Sequence, residues 1–92
     1  MKNRLNFDRM MMQMDLPSEV PPGTSLVEIV GNHRVLIENQ IGVYSYSRCN
    51  IVIKVQHGMI CVAGENLELQ QMTHSHLVIT GVIFGVSFTD WR

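Results

Sequence analysis

Ile51-Val52-Ile53-Lys54-Val55-Gln56-His57-Gly58-Met59-Ile60-Cys61-Val62-Ala63-Gly64-Glu65-Asn66-Leu67-Glu68-Leu69 is the stretch on which the fold turns. Successive side chains on a strand point to opposite faces. Ile51, Ile53 and Val55 therefore make one face, and Val52, Lys54 and Gln56 the other. After His57-Gly58 the larger aliphatics move to even positions, Ile60 and Val62; after Gly64-Glu65 they return to odd ones, Leu67 and Leu69. Two-residue hairpin loops require that switch. A loop at His57-Gly58 sets Val55 against Ile60 and Ile53 against Val62, with Cys61 opposite Lys54. A loop at Gly64-Glu65 sets Val62 against Leu67 and Ile60 against Leu69, which gathers every apolar pair on one face. Gly64 suits the first loop position of a type II′ turn.

The same alternation recurs outward from this stretch. Residues 25–31 read SLVEIVG, 42–48 GVYSYSR, 58–64 GMICVAG and 75–81 SHLVITG. Each opens on a small residue and sets larger apolar or aromatic residues at its third and fifth places. Their starts lie 17, 16 and 17 residues apart. A second extended stretch follows each one, at residues 33–38, 51–56, 67–71 and 82–88. Two short strands per repeat predict an all-β chain of about eight short strands. The first expectation is an antiparallel meander curled into a sandwich or roll. The alternative is a β-solenoid with coils of about 17 residues, because a regular period is its signature too.

A different segment precedes the repeats. Residues 4–14 hold Leu5, Arg9, Met10, Met11, Met12 and Met14, mostly good helix formers, and Asn3 suits a cap. A short N-terminal helix is expected there. Pro17, Pro21, Pro22 and Gly23 end it and form a linker. The organisation is thus residues 1–24, helix and Pro-rich linker, and residues 25–92, the β-repeat domain, in a single domain overall. The methionines offer soft apolar surface that adapts to irregular partners, so the segment is expected to serve docking more than folding.

Composition excludes several classes. The 92 residues are 46% hydrophobic and 16% charged, which is globular and unlike a disordered chain. Seven basic against eight acidic residues leave a net charge of −1, so no strong field points at nucleic acid or an anionic membrane. Cys49 and Cys61 are too few for a disulfide framework and are expected as reduced thiols in a cytosolic protein. Asn6, Asp8 and Arg9 interrupt any signal-peptide core. Uninterrupted apolar runs fall far short of the roughly 20 residues that span a bilayer. A cytoplasmic chain with no membrane span is expected.

Few residues suggest chemistry. His74 and His76 are two apart, so on a strand they share a face, and they are the candidate metal ligands. They lie in Thr73-His74-Ser75-His76, which reads as a turn with no carboxylate or cysteine close in sequence. Cys61 with His57 would need an oriented third group, and no nucleophile elbow or Gly-rich loop opening a helix is present. Tyr44 and Tyr46 share a strand face with Arg48 on the same parity, which reads as a tyrosine-paired core or edge more than a base-stacking platform. No catalytic residue, cofactor site or metal centre is assigned.

A set of positions does match something specific. Asp15-Leu16-Pro17-Ser18-Glu19-Val20, Gly31, Ile37-Glu38-Asn39 with Gly42 and Tyr44, the run Gly58, Ile60, Val62, Gly64, Leu67 and Leu69, and Leu77, Ile79, Gly81 and Ile83 together resemble the YabP/YqfC family of sporulation proteins, closest to the YqfC branch. The resemblance covers about residues 15–88, and Leu16-Pro17 and Ile37-Glu38-Asn39 are its most specific parts. Gln40 stands where the family commonly has histidine, and Pro21-Pro22-Gly23 replaces a smoother stretch. The resemblance implies a role in endospore formation, expression in the mother cell and a membrane partner of the YqfD type. It brings no enzymatic activity. The sequence thus leads to a non-enzymatic sporulation protein acting through protein contacts, with homo-oligomerisation open to it through unguarded strand edges. The alternative is a small-ligand or metal-binding β domain using His74 and His76.

Overall fold

The structure, a computed structural model, describes residues 22–73 and 75–90. The expected N-terminal helix and Leu16-Pro17 lie outside these residues. Six strands form one antiparallel sheet: β1 (Leu26–Val30), β2 (Arg34–Glu38), β3 (Gly42–Tyr46), β4 (Asn50–Val55), β5 (Gly58–Met72) and β6 (His76–Asp90). Their order across the sheet is β1-β2-β6-β5-β4-β3. The outer strands β1 and β3 do not pair with each other, so the sheet is not closed into a barrel.

Every extended stretch read from the sequence lies on a strand, but eight stretches become six strands because four of them fuse into two. Residues 58–64 and 67–71 join as β5, and residues 75–81 and 82–88 join as β6. No hairpin loop exists at Gly64-Glu65, and Val62 and Ile60 do not face Leu67 and Leu69. The parity change there comes from bulges instead. Pairing jumps from Glu65↔Val82 to Glu68↔Thr80, so β5 carries one residue more than β6 across the step. An extra residue shifts the side-chain phase just as a two-residue loop does, without reversing the chain.

The β4–β5 loop is Gln56-His57, one residue earlier than expected. Val55 faces Gly58, Ile53 faces Ile60, Ile51 faces Val62, and Cys61 faces Val52 rather than Lys54. The slip is two residues of register, which leaves every side chain on its expected face. The order also departs from a simple meander, since β2 lies beside β6. Each neighbouring pair is antiparallel, which removes the solenoid alternative.

A short link curls the sheet. Glu38 ends β2 and Gly42 begins β3, on opposite sides of three intervening strands. The Asn39 N–H donates to the Ser75 carbonyl and the Ile41 N–H to the Lys54 carbonyl, both at 2.8 Å. Two residues of chain then hold those carbonyls within roughly 13 Å. Ser75 sits beyond one end of β5, and Lys54 pairs with Met59 near the other. A straight strand from Met59 to Met72 would span about 43 Å. β5 and β6 must therefore fold over near their middles.

The bends are built for close approach. A Cβ on Gly64 would collide with the Val82 carbonyl oxygen, and one on Gly81, at φ +138, would lie 2.7 Å from the Asn66 carbonyl oxygen. The neighbouring turns clasp both bends. Gly64 and Leu67 donate to Cys49 and Arg48 in the β3–β4 turn, and Gly81 and Ile83 donate to His33 and Asn32 in the β1–β2 turn. Inside the fold, Val35 and Ile37 of β2, Ile51 and Ile53 of β4, Ile60, Val62 and Leu67 of β5, and Leu77, Ile79 and Ile83 of β6 form one buried cluster. Among the described residues no helix is long and apolar enough to cross a membrane.

Candidate functional site

An apolar cleft of about 280 Å³ opens at one end of the sheet. The β4–β5 hairpin supplies Val55, His57, Met59 and Ile60, β6 supplies Phe88 and Thr89, and Thr24 and Ser25 form the opposite rim. Ile60 is inside because it faces Ile53 across the hairpin. Phe88, its partner on the other side, shares that face but is 68% exposed, since among the described residues no strand pairs with β6 beside it. The walls are aliphatic and aromatic, with Thr24, Ser25, Gln56, His57 and Thr89 as the polar lining. Such a surface suits an apolar group better than a charged one.

Phe88 continues along an exposed row on β6. Phe84 is 65% exposed, and Val86 between them is only partly buried. Sequence reading placed a strand at residues 82–88 without singling out these rings. The usable signal was Phe84-x-Val86-x-Phe88 in the run Val82-Ile83-Phe84-Gly85-Val86-Ser87-Phe88-Thr89, which has no charge and no proline.

The positions carrying the family resemblance sit mostly at architectural points. Ile37 and Leu67 are in the core, and Gly64 and Gly81 are at the bends. Gly31 lies in the β1–β2 turn at φ +55, while Gly42 and Gly58 open β3 and β5. Tyr44 and Tyr46 are exposed on the outer strand β3, so they form an edge and not a core pair. Glu38 and Asn39 do come together with other polar residues at the link. Asn39 adopts φ 64 and donates from Nδ2 to the Thr24 carbonyl at 2.9 Å, while the Ser25 hydroxyl donates to the Asn39 carbonyl at 3.2 Å. The neighbouring Gln40 is buried and donates to the Thr73 carbonyl at 3.2 Å.

The histidine candidates separate. His74 lies outside the described residues. His76 Nε2 is 3.4 Å from a Glu38 carboxylate oxygen, and its Nδ1 is 3.0 Å from the Ser75 hydroxyl. Among the described residues no three histidines, cysteines or acids gather as a metal site. Cys49 and Cys61 are both free thiols; Cys61 donates to Asn50 Oδ1 at 3.1 Å, and His57 belongs to the β4–β5 loop. Arg48 and Glu68 approach to 3.6 Å at the surface, where an exposed pair contributes about 0–1 kcal/mol.

The family model described as the YabP family matches residues 22–92. That span contains all six strands, both clasped bends, the link and the cleft, while Leu16-Pro17 precedes it. No curated protein and no solved structure gives a significant match. The match covers more than half of the chain, and the chain belongs to the YabP family.

Proposed function

We propose that the protein serves endospore formation as a non-enzymatic contact module of the YqfC branch, working in the mother-cell cytoplasm on a membrane partner of the YqfD type. The family match over residues 22–92 carries this reading. The apolar cleft and the uncharged row on β6 support it, because they suit protein side chains better than a polar substrate. The Met-rich residues 1–14 are the proposed docking element for the partner.

Deleting the gene should lower sporulation frequency, and a deletion strain that sporulates like its parent would sink the role. Affinity capture from sporulating cells, read by mass spectrometry, should recover a membrane protein. Removing residues 1–14 should weaken that recovery while keeping the β circular dichroism spectrum. A truncated chain that loses the spectrum and aggregates would assign the segment to the core instead. Bound zinc on elemental analysis of the purified chain, lost on replacing His74 and His76, would favour the metal-binding alternative.

A further inference from the structure

β6 is covered on both sides only in its first half. β2 pairs with it from His76 to Thr80, and the Asn32 carbonyl extends the cover to Ile83. From residue 84 to residue 90, among the described residues, β6 pairs with β5 alone. The direction of the open backbone groups follows from the ladder. The Gly64 N–H points to Cys49 on the β4 side, so the even residues of this half of β5 turn that way and the odd ones turn toward β6. Cys61 and Ala63 thus bond with Ser87 and Gly85. Val86 and Phe88 turn their N–H and C=O groups to the open side. Phe84 joins them, because the bulge between Ile83 and Gly85 resets the phase.

We propose that this open half-strand, residues 84–88, pairs antiparallel with the same residues of a second copy of the chain, about a two-fold axis at Val86. Three observations select that occupant. The edge lacks the charges and prolines that normally protect an open strand, whereas the other half-covered stretch, residues 68–72 on β5, carries Glu68, Gln70 and Gln71. Next, the sequence is its own complement. Residues 84 and 88 are equally far from 86, so the pairing sets Phe84 against Phe88, Val86 against Val86 and Phe88 against Phe84. All three pairs lie on one face and all use the open backbone groups. Finally, the β1–β2 turn occupies the side of Ile83 and stops the pairing there, which fixes its register. The joined sheet runs β3-β4-β5-β6 into the second copy's β6-β5-β4-β3.

The contact is small. Four phenylalanine rings about two-thirds exposed offer roughly 400–650 Å² of apolar surface. That is below a standard interface, so dissociation on the order of tens of micromolar is expected. The inference stands apart from any role in sporulation, since it concerns the purified chain alone.

Sedimentation velocity of the full chain, across roughly two decades of concentration around that value, tests it together with residue-resolved hydrogen exchange. The dimer fraction should rise with concentration, and the Val86 and Phe88 amides should slow with it. The Gly85, Ser87 and Thr89 amides, bonded within the chain, should not change. Phe88→Lys should weaken dimerisation by about tenfold or more while the β circular dichroism persists; Phe84→Lys reads the same contact should the first variant fold poorly. A monomer at every concentration, or a dimer in which the Val86 amide exchanges freely, overturns the proposal. So does a Val86 amide slow at all concentrations, which would place a segment of the same chain on the edge.

Discussion

Gly42 opens one stretch of the repeat pattern and Gly64 closes another, and their surroundings differ sharply. A Cβ at Gly64 meets the Val82 carbonyl and Leu67, whereas one at Gly42 meets nothing within 4 Å. Gly64→Ala should destabilise the protein by about 2–3 kcal/mol or more, since backbone on a neighbouring strand cannot yield cheaply. Gly42→Ala should stay within about 0.5 kcal/mol of the parent. Urea denaturation of the two variants compares them directly, and equal midpoints would refute the close-approach account of the bend. The Ile37-Glu38-Asn39 tripeptide has an equally local reason. Asn39 must adopt a left-handed conformation, which asparagine tolerates better than most residues, and its amide then reaches Thr24. Its place in the pattern was legible in the sequence. Its φ was not, because the demand comes from a link whose two ends are set by distant strands.

Strands obey the same division between local pattern and long-range constraint. Ile60 on β5 is fully buried, and Ile41, one residue before β3, is 61% exposed. Ile60→Ala should cost about 2–5 kcal/mol through lost burial and the cavity left behind. Ile41→Ala should cost less than about 0.5 kcal/mol. Thermal or chemical unfolding decides, and comparable losses would mean that the cluster is not the stabilising core. The faces of β2, β4 and the first half of β5 were readable because period-two alternation reports burial directly. The continuity of β5 and β6 was not, since a bulge and a tight loop leave the same phase shift in a one-dimensional pattern. A glycine inside an apolar strand also signals close backbone approach, and Gly64 could have been read that way. The phenylalanine row escaped notice for a related reason. Alternating apolar residues look alike whether the neighbouring strand is present or missing, and only the register shows that β2 stops opposite Thr80 and its turn at Ile83.

At the scale of the whole molecule, the resemblance supplied the family, and the fold supplied the surfaces that a contact protein would use. The curl, the cleft and the half-open β6 all follow from one topological fact, the placement of β2 beside β6. That placement also has a consequence in time. Ile53 and Ile60 meet across a loop of a few residues, whereas Val35 and Ile79 are 44 positions apart and meet at a lower entropic cost once the β4–β5 and β5–β6 hairpins have shortened the path between them. Non-local pairing of this kind folds slowly, on the order of milliseconds to seconds. The β4–β5 hairpin should therefore be the early event and the docking of β2 the late one. In stopped-flow experiments Ile53→Ala should mainly slow refolding, and Val35→Ala should mainly hasten unfolding. The reverse partition would mean that the ends of the chain find each other first. If the order holds, the chain spends its slowest moments with the β2 side of β6 bare along its whole length, and yield on refolding should fall as protein concentration rises.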